Sequence, residues 1–177
     1  MANLAATVAA FERYMGFPPA RTRTVARRLL EDGILTPGAP GVAVEINEAD
    51  ATLLLLGVAS GATLSRVADV TAELADTVPG GIDVNIMPSA MRPAKRAAFD
   101  ILHGQIFNAA HDPHAVVSDL EVVESWPEVV FHLPEGVARF QPIGTLAGHW
   151  GGSRQRRSTR IPGGAIALMS HHLFGEK

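Results

Sequence analysis

Ten residues, Arg21-Thr22-Arg23-Thr24-Val25-Ala26-Arg27-Arg28-Leu29-Leu30, restrict the fold more than any other part of the chain. They lie between the stiff Pro18-Pro19 pair and Gly33, and so read as one helix over residues 20–32. At 3.6 residues per turn, Arg21, Thr24 and Arg28 share an exposed face, while Val25, Ala26, Leu29 and Leu30 turn inward. Such a helix is stable only against a layer that covers its apolar underside. The preceding sequence supplies one. Asn3 is placed to cap a helix over residues 4–15, in which Leu4, Val8, Phe11 and Met15 form one stripe and which Gly16 ends. A helix, a turn and a basic helix follow in the order of a helix-turn-helix.

Beyond Gly33, Ile34-Leu35 and then Val42, Val44 and Ile46 read as two short strands around Thr36-Pro37-Gly38-Ala39-Pro40-Gly41, a loop of turn formers suited to a wing. Asn47 is set to cap a third helix, with Asp50 at its third position close to a capping box. Ala51, Leu54, Leu55 and Val58 face inward along it, and it ends near Ser60-Gly61. The run from Val25 to Pro37, followed by Asn47 to Leu54, resembles the winged helix-turn-helix of MerR-type regulators over residues 20–56. The organisation is also similar to small DNA-binding proteins encoded by phages and prophages. These resemblances imply DNA binding. The long dimerisation coiled coil of the MerR type has no counterpart in this sequence, so the resemblance does not extend to sensing or activation of transcription.

Charge is distributed unevenly. The 177 residues carry a net charge of −3, yet residues 1–35 hold five arginines against three acids and residues 154–160 hold four arginines and no acid. The intervening residues 36–153 hold five basic residues against fourteen acids. Focused positive patches hold phosphates even on a protein that is acidic in sum. The expected DNA contacts are Arg21, Thr22, Arg23, Arg27 and Arg28 in the first patch, and Arg154, Arg156, Arg157 and Arg160 in the second. Arginine grips guanine edges or phosphates with two parallel donors, and threonine adds a short phosphate bond. A competing account of the second patch has it dock on the acidic face of a neighbouring subunit.

The rest of the chain predicts an α+β protein. Residues 63–78 read as a helix with acidic Asp69, Glu73 and Asp76 outward, and Pro93 suits the first turn of a helix reaching Asn108, with Arg92, Lys95 and Arg96 at its front. Residues 116–124 and 128–133 form an expected β-hairpin about Ser125-Trp126-Pro127, residues 137–140 a third strand, and residues 165–174 a closing helix. Expected organisation is therefore a DNA-binding unit over residues 1–60, a helical or oligomerisation region over 61–115, and a small β-rich region with a basic loop over 116–177.

No catalytic constellation is legible. Glu121, Glu124 and Glu128 suit solvent-facing strand positions better than paired acid/base work, and the glycines of 148–152 lack the ending of a phosphate-binding loop. His103, His111 and His114 do not match a zinc spacing, and the absence of cysteine excludes thiolate sites and thiol catalysis. No cofactor is implied, no run approaches membrane-spanning length, and the cytoplasm is the default location. The expected function is double-stranded DNA binding in transcription regulation or phage DNA metabolism, by a non-enzymatic homo-oligomer, a dimer first. The principal alternative is a scaffolding or assembly protein, including a packaging component like a small terminase subunit. A metal-dependent enzyme ranks third and would require Asp112 and His111 to meet an acidic strand residue.

Overall fold

A computed structural model describes residues 1–39, 41–83, 86, 88–92, 97–112, 114–145 and 155–175. Asn3 accepts from the Ala6 N–H and starts α1 (Leu4–Met15), and Gly16 ends it in the left-handed conformation at φ 73°. Pro19 occupies the first turn of α2 (Pro19–Glu31), where its missing N–H costs nothing. Asn47 and Asp50 close the capping box of α3 (Glu48–Ala59): Asn47 accepts from the Asp50 N–H at 2.8 Å and Asp50 reaches back to the Asn47 N–H at 3.4 Å.

The expected wing strands are not formed. Ile34-Leu35 is a bend, and β2 (Glu45–Ile46) pairs antiparallel with β1 (Ala2–Asn3) at the other end of the chain segment. The reason lies in the side chains: Leu35 and Ile46 are both buried, and Thr36 donates from its N–H and its hydroxyl to Asp50 Oδ1, which fixes the chain against α3. No hairpin therefore projects from the described part of residues 34–46.

α4 (Val67–Ala75) is shorter than expected at both ends. The Arg66 N–H turns back to the Thr63 carbonyl before it, and after it Val78–Pro79 leaves the helix to become β3. The next helix, α5 (Ala98–His111), starts at Ala98 with Asp100 accepting from the Ala97 N–H and runs past the expected end at Asn108; Pro93, Lys95 and Arg96, expected at its front, lie outside the described residues. Then follow β4 (Asp119–Val123), β5 (Glu128–Leu133), β6 (Gly136–Gln141), β7 (Ser158–Ile161) and α6 (Gly163–Phe174).

The five strands form an antiparallel sheet in the order β3-β6-β5-β4-β7. Alternation along the strands sends Leu120, Val122, Val129, Phe131, Phe140 and Ile161 to one face, where they join the buried residues of the helices in one apolar cluster. That cluster draws on all three stretches of the chain, from Phe11, Val25 and Leu29 through Leu74, Leu102 and Ile106 to Met169. Two glycines set close approaches within it. A Cβ on Gly57 would lie 2.8 Å from Thr71 Oγ1 and 3.2 Å from Leu29, so α3 meets both α2 and α4 at that point. A Cβ on Gly163 would lie 1.9 Å from the Val117 carbonyl oxygen, and the Gly163 N–H donates to Asp119 Oδ1 at 2.8 Å. The first turn of α6 is thereby seated against the entry to β4.

Candidate functional site

The basic helix presents its arginines unequally. Val25, Ala26 and Leu29 are fully buried beneath it. Arg23, Thr24 and Arg27 are exposed, whereas Arg21 and Arg28 are half-buried. Thr22 is not on the solvent face at all: it is fully buried and donates to the Pro18 carbonyl, so it offers nothing to a phosphate. Arg27 is the most open of the ion-paired arginines, with its side chain 82% exposed and Nε 2.8 Å from Glu31. Arg28 lies 3.0 Å from Asp32 and 3.5 Å from Glu31. The Arg27 guanidinium, with Arg28 beside it, holds the Glu31 carboxyl below its ordinary range. Arg23 has no ion pair among the described residues.

The turn after α3 links this helix to the sheet. Arg21 donates to the Ala62 carbonyl. Leu64 joins Thr24, Arg27, Arg28 and Glu31 around a shallow cleft of about 190 Å³. Next to Ala62, Gly61 at φ 63° leaves room for Glu124, whose Cδ would stand 2.9 Å from a Cβ there. Glu124 then accepts from Arg157 at 3.4 Å and from Thr159 at 3.2 Å. Arg21 and Arg157 are thus joined through one short chain of contacts, although they are far apart in sequence.

The remaining arginines of the second patch are distributed differently. Arg160 is exposed and paired with Asp119 at 2.9 Å. The Gly163 N–H, followed by Arg160, lowers the Asp119 carboxyl below its ordinary range. Arg154 lies outside the described residues. Arg156 is not a free DNA contact: its Nη1 lies 3.0 Å from Glu128 and its Nη2 3.0 Å from Glu121.

Those two glutamates anchor a charged cluster on the sheet face opposite the helices. The side chain of Glu128 is fully buried, not solvent-facing as its sequence position suggests. It accepts from Arg139 at 2.6 Å, from Gln141 at 2.6 Å and from Arg156. Glu121 is 2.8 Å from His132 Nε2. Partial burial pushes the Glu121 carboxyl up, but hydrogen bonds from Ser158, His132 and Arg156 outweigh it and hold the group at about 2. The same carboxylates raise the Arg156 guanidinium against the opposing effect of its own burial. A carboxyl this acidic is ionised at neutral pH and has no proton to give as a general acid. The chemistry of the cluster is that of a clamp, tying β4, β5 and β6 to the chain entering β7.

Sequence reasoning missed this cluster. Its signal was the two-residue period of the hairpin: Val129 pairs with Phe140 and Val130 with Arg139, which brings Glu128 level with Gln141 and beside Arg139. Of His103, His111 and His114, two have aromatic neighbours. His103 stacks on Phe99 at 5.5 Å and His111 meets Phe107 at 4.6 Å, and among the described residues no group of three His, Asp or Glu is placed to hold a metal. His111 and Asp112 do line a common cleft of about 290 Å³, but the described lining contains no acidic strand residue. No helix among the described residues is long and apolar enough to cross a membrane. In comparisons with protein-family models, curated proteins and solved structures, the chain matches none.

Proposed function

We propose that the protein binds double-stranded DNA, with α1 and α2 as a helix-turn-helix that lacks wing strands and with α2 entering the major groove. One observation carries this reading: Arg23 and Arg27, a turn apart, stand exposed on a helix whose underside is wholly buried. A rigid seat matters because groove reading requires the guanidinium forks to arrive pre-aimed. Arg21 and Arg28 serve as half-buried phosphate anchors, whereas the Thr24 hydroxyl beside them already donates to the Ala20 carbonyl at 2.7 Å. Glu31 and Asp32 partly neutralise the C-terminal half of the helix, so its N-terminal half is the stronger electrostatic element. The biological setting we favour is cytoplasmic, in transcription regulation or phage DNA metabolism. Replacing Arg23 and Arg27 by alanine should weaken binding to a duplex and flatten its dependence on salt by about 0.9 logarithmic units per lost phosphate contact. Unchanged affinity and slope in a folded variant would reject this placement of α2.

A second reading, an assembly or scaffolding component, is favoured by a different observation. Phe107 and Val116 are exposed, at 48% and 83%, and line one shallow cleft together. Apolar side chains gathered on a surface mark an association site more often than scattered ones do. The two readings are compatible in a DNA-binding oligomer.

A further inference from the structure

We propose that the turn between α3 and α4, and not the 36–41 loop, supplies the second contact to duplex DNA, through Arg66 and with Arg157 beside it. This rests on the reading of α2 as the groove helix. The loop expected to act as a wing has the wrong chemistry and the wrong tether. Residues 36–65 contain no lysine or arginine, so Arg66 is the first cation after Arg28. Thr36, at the root of the loop, is held to Asp50 by two hydrogen bonds, and Gly38 packs on Val44, where a Cβ would meet backbone and side chain at 3.4 Å.

The 61–66 turn has the opposite properties. It is tied to α2 where Arg21 bonds the Ala62 carbonyl, and Leu64 shares a shallow cleft with Thr24, Arg27 and Arg28. Thr63, Ser65 and Arg66 are all exposed, and Arg66 has no ion pair among the described residues. Its other flank touches the sheet, where Gly61 admits the Glu124 carboxylate that Arg157 pairs with. Arg157 is 70% exposed and its contact with Glu124 is long at 3.4 Å, the geometry of a pair that a phosphate displaces readily. Asp69, exposed one turn further along α4, limits the surface, so the contact is confined to the turn itself. A phosphate backbone crossing beside α2 therefore meets a hydroxyl-rich turn with one unneutralised guanidinium and a second held only loosely.

The test is a salt titration of a labelled mixed-sequence duplex by fluorescence anisotropy, with oligomeric mass measured on every variant. Arg66→Ala and Arg157→Ala should each flatten the logarithmic salt slope by about 0.9, at unchanged mass. Glu124→Gln removes the carboxylate that competes for Arg157 and should tighten binding while steepening the slope; a misfolded variant does not gain affinity. Arg23→Ala with Arg27→Ala serves as the reference for α2. If that pair weakens binding while the Arg66, Arg157 and Glu124 variants leave the slope unchanged, the inference fails and the role of α2 stands. If the wild-type protein does not bind the duplex, both fall together.

Discussion

At the scale of single residues, Glu121 makes stability depend on pH in a defined direction. Its carboxyl ionises at about 2 in the folded protein, against 4.5 for the free group. As pH falls through about 4.5 the unfolded chain takes up this proton first, and stability is lost until about 2, where the folded state takes it up as well. The contribution is present in full above that window. Glu121→Gln should make unfolding free energy less dependent on pH between these limits, by roughly 1–3 kcal/mol. Urea unfolding at a series of pH values measures it; an acid limb of identical steepness in both proteins contradicts this role. Residues of this kind were poorly legible in the sequence. The exposed positions of Arg23 and Arg27 follow from helical spacing, as does the burial of Thr22 in line with Val25, Ala26 and Leu29, but the burial of Glu128 and the pairing of half-buried Arg156 depend on partners brought from elsewhere in the chain.

At the scale of elements, local signals are legible in the sequence and remote ones are not. Residues 4–15 form the expected helix because Asn3 and Gly16 act on their own immediate neighbours. The capping box at Asn47 forms for the same reason. The β1–β2 pair is two residues long on each strand and joins chain ends 42 or more positions apart, so no periodicity announces it. α4 is shorter than its apolar spacing suggests because that spacing, over residues 63–78, continues through a turn at its start and into a strand at its end. The start of α6 exposes a close fit that can be tested. Gly163→Ala places a methyl against the Val117 carbonyl, which is backbone and cannot swing aside. The substitution should lower stability by about 2–3 kcal/mol, the upper part of the range for overpacking. A urea midpoint matching wild type would mean that α6 has room to shift.

At the scale of the whole molecule, a single apolar cluster extends from α1 through the sheet to α6, so the helical and β-rich parts share their core. The α+β class was legible from the alternation of helix-period and strand-period segments. The strand order was not, because β7 lies next to β4 and not next to β6, its predecessor in sequence. Association is the property that belongs to this scale. If the exposed Phe107 and Val116 mediate self-assembly, sedimentation velocity at increasing concentration should show a dimer, and Phe107→Ser with Val116→Ser should return it to the monomer mass. A monomer at every concentration in the wild-type protein removes the assembly reading and leaves the DNA reading to stand by itself.

The clamp formed by Arg156 also bears on how such a sequence can change over time. Glu128 is shared by Arg139, Gln141 and Arg156, and Arg156 is shared in turn by Glu121. Replacing Glu128 alone by an apolar residue strips two guanidiniums of a common counter-ion, whereas replacing the group together by well-packed apolar side chains is close to neutral. The intermediate steps are worse than either end. Positions 121, 128, 139 and 156 are therefore expected to drift as a block among descendants of this chain, leaving a covariation signature across three strands while the solvent-facing arginines of α2 vary independently.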